Sequence, residues 1–85
     1  MKIFYTKKFE REYKKISKDL RLKTESREVI FRKNPFNIIL KTHKLSGRLE
    51  GFWSFSVDFK NRVVFEFIDE KTVFFHSIGN HDIYN

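Results

Sequence analysis

The hydrophobic residues of this chain change their spacing near its middle. Between residues 9 and 20 they recur at the three- and four-residue steps of an amphipathic helix, at Phe9, Tyr13, Ile16 and Leu20. From residue 49 to residue 78 most of them alternate with polar residues, as in half-buried strands. A chain that is helical in its first half and extended in its second favours an α+β fold, with helices and strands in separate layers.

The first half predicts one strand and two helices. Residues 2–5 contain an apolar run typical of a strand, and Thr6 occupies the position of a helix N-cap. A basic amphipathic helix follows, and Ser17 and Asp19 offer a break or a second cap. The second helix must end before Asn34-Pro35, because the residue before a proline disfavours helical backbone. The two helices are expected to form an antiparallel hairpin.

The second half predicts a meander of three strands. The alternation over residues 49–59 indicates the first strand, Lys60-Asn61 the first turn, residues 69–71 the second turn, and residues 73–78 the last strand. The predicted fold is a single domain over residues 1–85: a small antiparallel sheet in β-α-α-β-β-β order, with a two-helix hairpin packed on one face. The other face is expected to stay open and to carry Arg62, Val64 and Glu66, if Val63, Phe65 and Phe67 point into the core.

Composition limits the setting of this domain. Eleven Phe, three Tyr and one Trp supply enough apolar area for a core without disulfides, and the chain has no Cys. No run of apolar residues is longer than three, which argues against a transmembrane helix or a signal peptide. We therefore expect a cytoplasmic protein that does not bind membranes.

The net charge of +7 is concentrated in the first half. Residues 1–48 carry 15 Lys and Arg against 5 Asp and Glu, whereas residues 49–85 carry 3 against 6. Such a field attracts phosphate polymers, anionic membranes or an acidic protein, and charge alone does not separate these partners.

Acid-base and electrostatic chemistry remains open to this chain, because it lacks a Cys nucleophile, a glycine-rich phosphate loop and a GxSxG motif. Cleavage of RNA without metal needs a base, a cation at the phosphate and an acid; His43, Arg62 and His81 could fill these roles. Each also has a plainer interpretation: His43 as an exposed loop residue, Arg62 as a solvated charge and His81 as part of a tail. His76, within an apolar strand, is expected to be packed or hydrogen-bonded. Metal binding by His76, His81 and Asp82 is a weak alternative, because their H-x4-H-D spacing matches no common ligand set, and no metal or cofactor is expected.

Three segments carry a resemblance to a known family. Residues 43–54 read HKLSGRLEGFWS, residues 61–65 read NRVVF, and residues 79–84 read GNHDIY. In this order and spacing they resemble the RelE/ParE toxin superfamily, especially its YoeB-like and YafQ-like branches, over nearly the whole chain. Members of these branches are the toxins of toxin-antitoxin pairs, and many cleave mRNA in the ribosomal A site to leave a cyclic phosphate and a 5′-hydroxyl.

The resemblance implies roles for four residues. Arg62 matches the arginine at the scissile phosphate, His81 the C-terminal histidine of proton transfer, and Tyr84 the terminal aromatic that stacks on or orients a base. His43 falls where relatives carry a Glu or His that acts as base. Which histidine is base and which is acid stays open. Contacts to RNA phosphates are expected from the cations Lys41, Lys44, Arg48 and Lys60.

The resemblance also implies a partner, an acidic antitoxin that neutralises the toxin and forms a hetero-oligomer with it. Two alternatives remain at this point. One is a ParE-like toxin that poisons DNA gyrase without ribonuclease activity, and the other is a basic RNA-binding module without catalysis.

Overall fold

The computed structural model of the chain describes residues 1–80. Its two helices are α1 (Lys7–Lys15) and α2 (Lys18–Lys33). Its five strands are β1 (Lys2–Tyr5), β2 (His43–Lys44), β3 (Trp53–Ser56), β4 (Asn61–Asp69) and β5 (Thr72–Asn80). Two 3₁₀ turns, Ile38–Leu40 and Gly47–Leu49, lie on either side of β2. The predicted α+β class is confirmed.

The five strands form one sheet in the order β1-β5-β4-β3-β2. The meander β3-β4-β5 is antiparallel, as predicted, and β2 extends it with two residue pairs. Strand β1 runs parallel to β5, with Ile3 opposite Val73, so the sheet is mixed rather than wholly antiparallel. Alternation of residue types did not reveal the direction of this edge strand, since a strand has the same two-residue period in either direction.

Side chains at the predicted positions cap the helices. The Thr6 hydroxyl accepts a hydrogen bond from the Phe9 amide at 3.0 Å, and the Ser17 hydroxyl accepts one from the Leu20 amide at 3.1 Å. Each bond satisfies an N–H group that has no partner within its helix. Helix α2 ends at Lys33, before Pro35, as expected. No helix within residues 1–80 is long and apolar enough to cross a membrane.

The helices pack as an antiparallel hairpin on one face of the sheet. The Tyr13 hydroxyl of α1 donates to Glu25 of α2 at 2.5 Å, and the Tyr5 hydroxyl, which precedes α1, donates to Glu28, further along α2. The start of α1 therefore faces the end of α2. At the centre of the core, the buried Phe31 ring of α2 lies 5.0 to 5.5 Å from three sheet rings, those of Phe55, Phe65 and Phe75. As predicted, Val63 and Phe65 are in this core and Phe67 packs against it.

The strand predicted over residues 49–59 is shorter than expected. Only residues 53–56 form β3, and Phe59 is 88% exposed, so its place in the alternation did not indicate burial. The predicted turn at Lys60-Asn61 lies earlier in the chain, because the Asp58 carboxylate accepts hydrogen bonds from the Lys60 and Asn61 amides at 2.9 and 2.8 Å. Asn61 is already the first residue of β4.

The expectation that the second sheet face is open is wrong in part. Val64, Ser54 and Ser77 lie on this outer face, yet they are 3%, 0% and 5% exposed. Leu49 and Phe52, from the segment before β3, lie over it and line a pocket with Val64. We use the term outer face for the sheet surface opposite the helices.

Candidate active site

Arg62 lies on β4 between Ser56 of β3 and Gly79 of β5. Its Nη1 donates hydrogen bonds to the backbone carbonyls of Asp58, Asn61 and Phe59, at 2.8, 3.2 and 3.4 Å. The turn before β4 therefore positions the guanidinium. All these contacts use Nη1, and within residues 1–80 Nε and Nη2 form no hydrogen bond.

His43 is exposed on β2, at one edge of the sheet, where it pairs with Ser54. Its Nδ1 lies 2.9 Å from the Lys41 carbonyl oxygen. A carbonyl only accepts, so Nδ1 carries the proton and Nε2 of the neutral ring is a proton acceptor.

The register places these two residues on the same face of the sheet. His43 pairs with Ser54, which pairs with Val64, and Val64 is two residues after Arg62 on β4. Because side chains alternate between faces, His43 and Arg62 both belong to the outer face, with Cα atoms roughly 12 Å apart by standard strand spacings. No sequence pattern indicated this neighbourhood, since it depends on the pairing of β2 with β3.

Strand β5 ends beside Arg62. Gly79 is its cross-strand partner, and Asn80, the last described residue, pairs with Asn61. His81 and Tyr84, the other two predicted catalytic residues, lie outside the described residues.

The four predicted RNA-binding cations occupy different surroundings. Lys60 is exposed in the turn before β4, and Arg48 is exposed in the 3₁₀ turn Gly47–Leu49. Lys41 ends the other 3₁₀ turn and supplies the carbonyl that contacts His43. Lys44 pairs with Trp53, on the face opposite His43, and its Nζ lies 5.5 Å from the centroid of the Trp53 ring. The structure thus does not bring Lys44 onto the outer face.

A pocket on the outer face was not predicted from the sequence. It has a volume of about 210 Å³ and is lined by Thr6, Lys8, Leu49, Phe52, Val64, His76 and Ser77. His76 Nε2 lies 3.0 Å from Glu66 Oε1, and the His76 and Phe52 rings meet edge to face with centroids 4.9 Å apart. The expected hydrogen-bonded state of His76 is confirmed; its side chain is 30% exposed, and the residue lies at a β-bulge beside this pocket.

The charged groups of this face suit proton transfer and anion binding. His43 offers a proton acceptor in an exposed position, Arg62 offers a fixed cation, and the pocket offers aromatic surface beside Lys8. Among residues 1–80 no group of three or more His, Cys, Asp or Glu side chains could hold a metal ion.

Neither a family model nor a curated protein matches the sequence. The fold, however, is that of solved YafQ and YoeB/ParE toxin structures, so the resemblance drawn from the sequence is confirmed at the level of the fold. The structure matches YafQ from E. coli strain BL21(DE3) with a TM-score of 0.80 at 19% identity, over 95% of this chain and 93% of that one. It matches the YoeB/ParE toxin from Agrobacterium tumefaciens with a TM-score of 0.79 at 19% identity, over 95% and 99%.

A third match comes from the heterotetrameric complex of the YoeB-YefM toxin-antitoxin from Staphylococcus aureus. Its TM-score is 0.76 at 21% identity, over 95% of this chain and 97% of that one. In each of these three comparisons the likeness extends over 95% of this chain.

Proposed function

We propose that this protein is the toxin of a toxin-antitoxin pair and that it inhibits translation by cleaving mRNA on the ribosome. The observation that carries the proposal is the outer face, where an exposed imidazole and a positioned guanidinium share one side of the sheet and β5 ends beside the guanidinium. The toxin fold and the basic first half of the chain support the same function.

In the proposed reaction His43 Nε2 takes the proton of a ribose 2′-hydroxyl. The 2′-oxygen attacks the adjacent phosphorus, the bond from phosphorus to the 5′-oxygen breaks, and His81 gives a proton to that oxygen. The products are a 2′,3′-cyclic phosphate and a 5′-hydroxyl, so no water or metal enters the step. The Lys41 carbonyl supports this assignment because it leaves Nε2 of neutral His43 without a proton.

Arg62 would stabilise the phosphate during this step. Its Nη1 is held by the turn, which leaves Nε–H and an N–H of Nη2 as a side-on pair for two phosphate oxygens. A guanidinium that is already positioned loses little freedom when the substrate binds. Tyr84 would orient a neighbouring base, and the rings of Phe52 and His76 offer another base a surface to stack on.

The proposed binding surface includes the cations Lys41, Arg48 and Lys60, with Lys44 at the sheet edge. We also propose an acidic antitoxin as the partner, because the S. aureus relative was solved as a heterotetrameric toxin-antitoxin complex and this chain has a net charge of +7. Both roles belong in the cytoplasm, where ribosomes translate mRNA.

The test is primer extension on an mRNA in a purified translation system, with a control that lacks ribosomes. The wild-type protein should give discrete, codon-phased cuts that need ribosomes. Arg62→Ala and His81→Ala should each lower the cleavage rate at least about 100-fold, the range found for electrostatic and acid-base groups. The matched control is Arg11→Ala, since Arg11 is exposed on α1 and forms no ion pair or side-chain hydrogen bond within residues 1–80.

Arg62 also holds a turn, so the fold of each variant is checked by thermal unfolding. Arg62→Lys, which keeps the charge and loses the fork, should fold and remain strongly impaired. Full activity of a folded Arg62→Ala/His81→Ala double variant would contradict the proposal. Intact mRNA together with inhibited supercoiling by gyrase would instead indicate a gyrase-poisoning toxin.

A further inference from the structure

A second surface lies in the connection between α2 and β3. Residues 29–49 contain five Lys and Arg and no Asp or Glu, although acidic residues occur throughout the rest of the chain. Of these cations, Lys33, Lys41 and Lys44 are exposed and form no ion pair within residues 1–80. This is the longest stretch of the described chain that carries Lys and Arg without an acidic residue; it begins near the end of α2 and stops at Leu49, before Glu50.

The same connection exposes large apolar side chains. Ile38 is 89% exposed, Phe36 is 56% exposed and Ile39 is 50% exposed. Isolated apolar residues on a surface are common, but three within four positions form a patch. We call Phe36, Ile38 and Ile39, with Lys33, Lys41 and Lys44, the connection patch.

The backbone of the connection patch is held in place. Leu40 is fully buried and anchors the 3₁₀ turn in the core, while the Asn37 side chain accepts a hydrogen bond from the Ile39 amide at 3.0 Å. The Thr42 hydroxyl donates to the Pro35 carbonyl at 2.5 Å and closes the loop. The exposed isoleucines are thus presented by an ordered turn, which lowers the entropy lost on binding.

Aromatic residues continue the patch onto the sheet. The Phe36 ring meets Trp53 and Phe67, with centroids 5.5 and 5.9 Å apart. Lys44 Nζ lies 5.5 Å from the centroid of the Trp53 ring. Apolar surface and positive charge are therefore interleaved.

We propose that the connection patch binds an acidic protein segment with an apolar face. Carboxylates of such a segment would meet Lys33, Lys41 and Lys44, and its apolar side chains would cover Ile38 and Ile39. RNA fits less well, because Ile38, the most exposed apolar side chain of the patch, offers no ring for a base to stack on. A second copy would bring like charges together, and a three-residue turn lacks the long amphipathic face that binds membranes.

The inference rests on the proposed function in one respect, since the antitoxin is the acidic protein expected to bind. It does not need catalysis, because the isoleucines of the patch are no part of the proposed active site. The patch is also distinct from the outer face, because it lies on the connection that leads to the sheet edge.

The experiment measures binding of a fluorescent acidic helical peptide with leucines at i, i+3, i+4 and i+7 and glutamates elsewhere. Trp53 is the single Trp of the chain and lies under Phe36, so its fluorescence reports occupancy of the patch directly. The full chain should bind this peptide, and should not bind a peptide with lysines in place of the glutamates. Ile38→Ser/Ile39→Ser should weaken binding at least about 10-fold, since two apolar side chains are lost from the contact. The matched control is Leu22→Ser, because Leu22 is 55% exposed on α2 and lies three turns before the end of that helix.

Three results would overturn the proposal. They are equal binding by the isoleucine variant, no binding of the acidic peptide by the wild type, and preferential binding of the patch to RNA, anionic vesicles or a second copy. Cleavage of mRNA by the same variants separates this inference from the proposed function. Ile38→Ser/Ile39→Ser should cleave mRNA like the wild type. If neither the wild type nor this variant cleaves mRNA but the wild type still binds the peptide, only the proposed nuclease activity is contradicted.

Discussion

Asp58 organises the turn that holds Arg62. Its carboxylate accepts hydrogen bonds from the Lys60 amide and from the amide and side chain of Asn61, at 2.8 to 3.0 Å, and its carbonyl accepts from Arg62. Partial burial raises the pKa of Asp58, but these hydrogen bonds together lower it by more, so the pKa lies below its usual value. One side chain thus links the stability of a turn to the placement of the proposed phosphate-binding group.

Asp58→Ala is therefore expected to lower both stability and activity. The loss of a charged acceptor for three N–H groups should cost about 1–3 kcal/mol of unfolding free energy, measured by urea denaturation. The cleavage rate should also fall, because Arg62 loses its support. Asp69→Ala is the matched control, since the Asp69 carboxylate accepts from the Lys71 amide in the turn at the other end of β4. Equal cleavage by the two folded variants would show that the Asp58 turn does not position Arg62.

Two tyrosines make the fold sensitive to alkaline pH. Burial and hydrogen bonding to glutamates raise the pKa of Tyr5 and of Tyr13 from 10.0 to about 12. In the unfolded chain both groups lose their protons near pH 10, whereas the folded state keeps them. Their contribution to stability is thus complete below pH 10 and is lost as the pH rises towards about 12.

The raised pKa values predict that the free energy of unfolding falls over that alkaline range. Denaturant unfolding at several pH values measures this fall. Tyr5→Phe/Tyr13→Phe should flatten the dependence, because phenylalanine does not titrate. Tyrosinate absorbance of the folded protein should show the late titration directly. Tyrosinate formation by Tyr5 and Tyr13 near pH 10 in the folded protein would contradict it.

At the scale of elements, α1 completes the edge of the sheet where β1 stops. Strand β1 covers β5 from residue 72 to residue 75, and beyond it Glu12 of α1 accepts hydrogen bonds from the Ile78 amide at 3.1 Å and the Ser77 hydroxyl at 2.9 Å. Lys8 also donates to the Ser77 hydroxyl, at 2.9 Å. A helical carboxylate therefore satisfies a buried strand edge just before His81.

Glu12→Ala should loosen this end of β5. Removing a charged acceptor from two buried donors is expected to cost roughly 2–3 kcal/mol, and hydrogen exchange at the Ile78 amide should accelerate. Cleavage should weaken as well, since the strand end leads to His81. Glu10 lies two residues before Glu12 and is exposed on α1, so Glu10→Ala should lower the free energy of unfolding by less than about 1 kcal/mol. Unchanged exchange at Ile78 in Glu12→Ala would contradict the assignment.

For the whole molecule, stability depends on one aromatic core. Phe31 contacts rings from three strands, and 85 residues at typical values give a total unfolding free energy of only about 4–13 kcal/mol. A single large cavity at this point is therefore a substantial fraction of the total.

Phe31→Ala is expected to cost about 3–5 kcal/mol and to shift thermal unfolding strongly downward. Phe59→Ala removes the same atoms from a ring that is 88% exposed, and should stay within about 0.5 kcal/mol of the wild type. Similar melting temperatures for the two variants would refute the picture of a core centred on Phe31.

The sequence determined the features that depend on near neighbours in the chain. The caps at Thr6 and Ser17, the end of α2 before Pro35 and the inward positions of Val63 and Phe65 follow from hydrogen bonds and side-chain periods a few residues long. The alternation predicted the turn before β4 too late in the chain. The Asp58 carboxylate binds the Lys60 and Asn61 amides and so forms the turn before the alternation ends.

Only the tertiary structure decided which distant segments meet. The parallel direction of β1, the pairing of His43 with Ser54, the cover of the outer face by Leu49 and Phe52, and the shared face of His43 and Arg62 all depend on long-range pairing. Such pairings form because closing the whole core buries Phe31 and its neighbours, and no local pattern encodes that free energy.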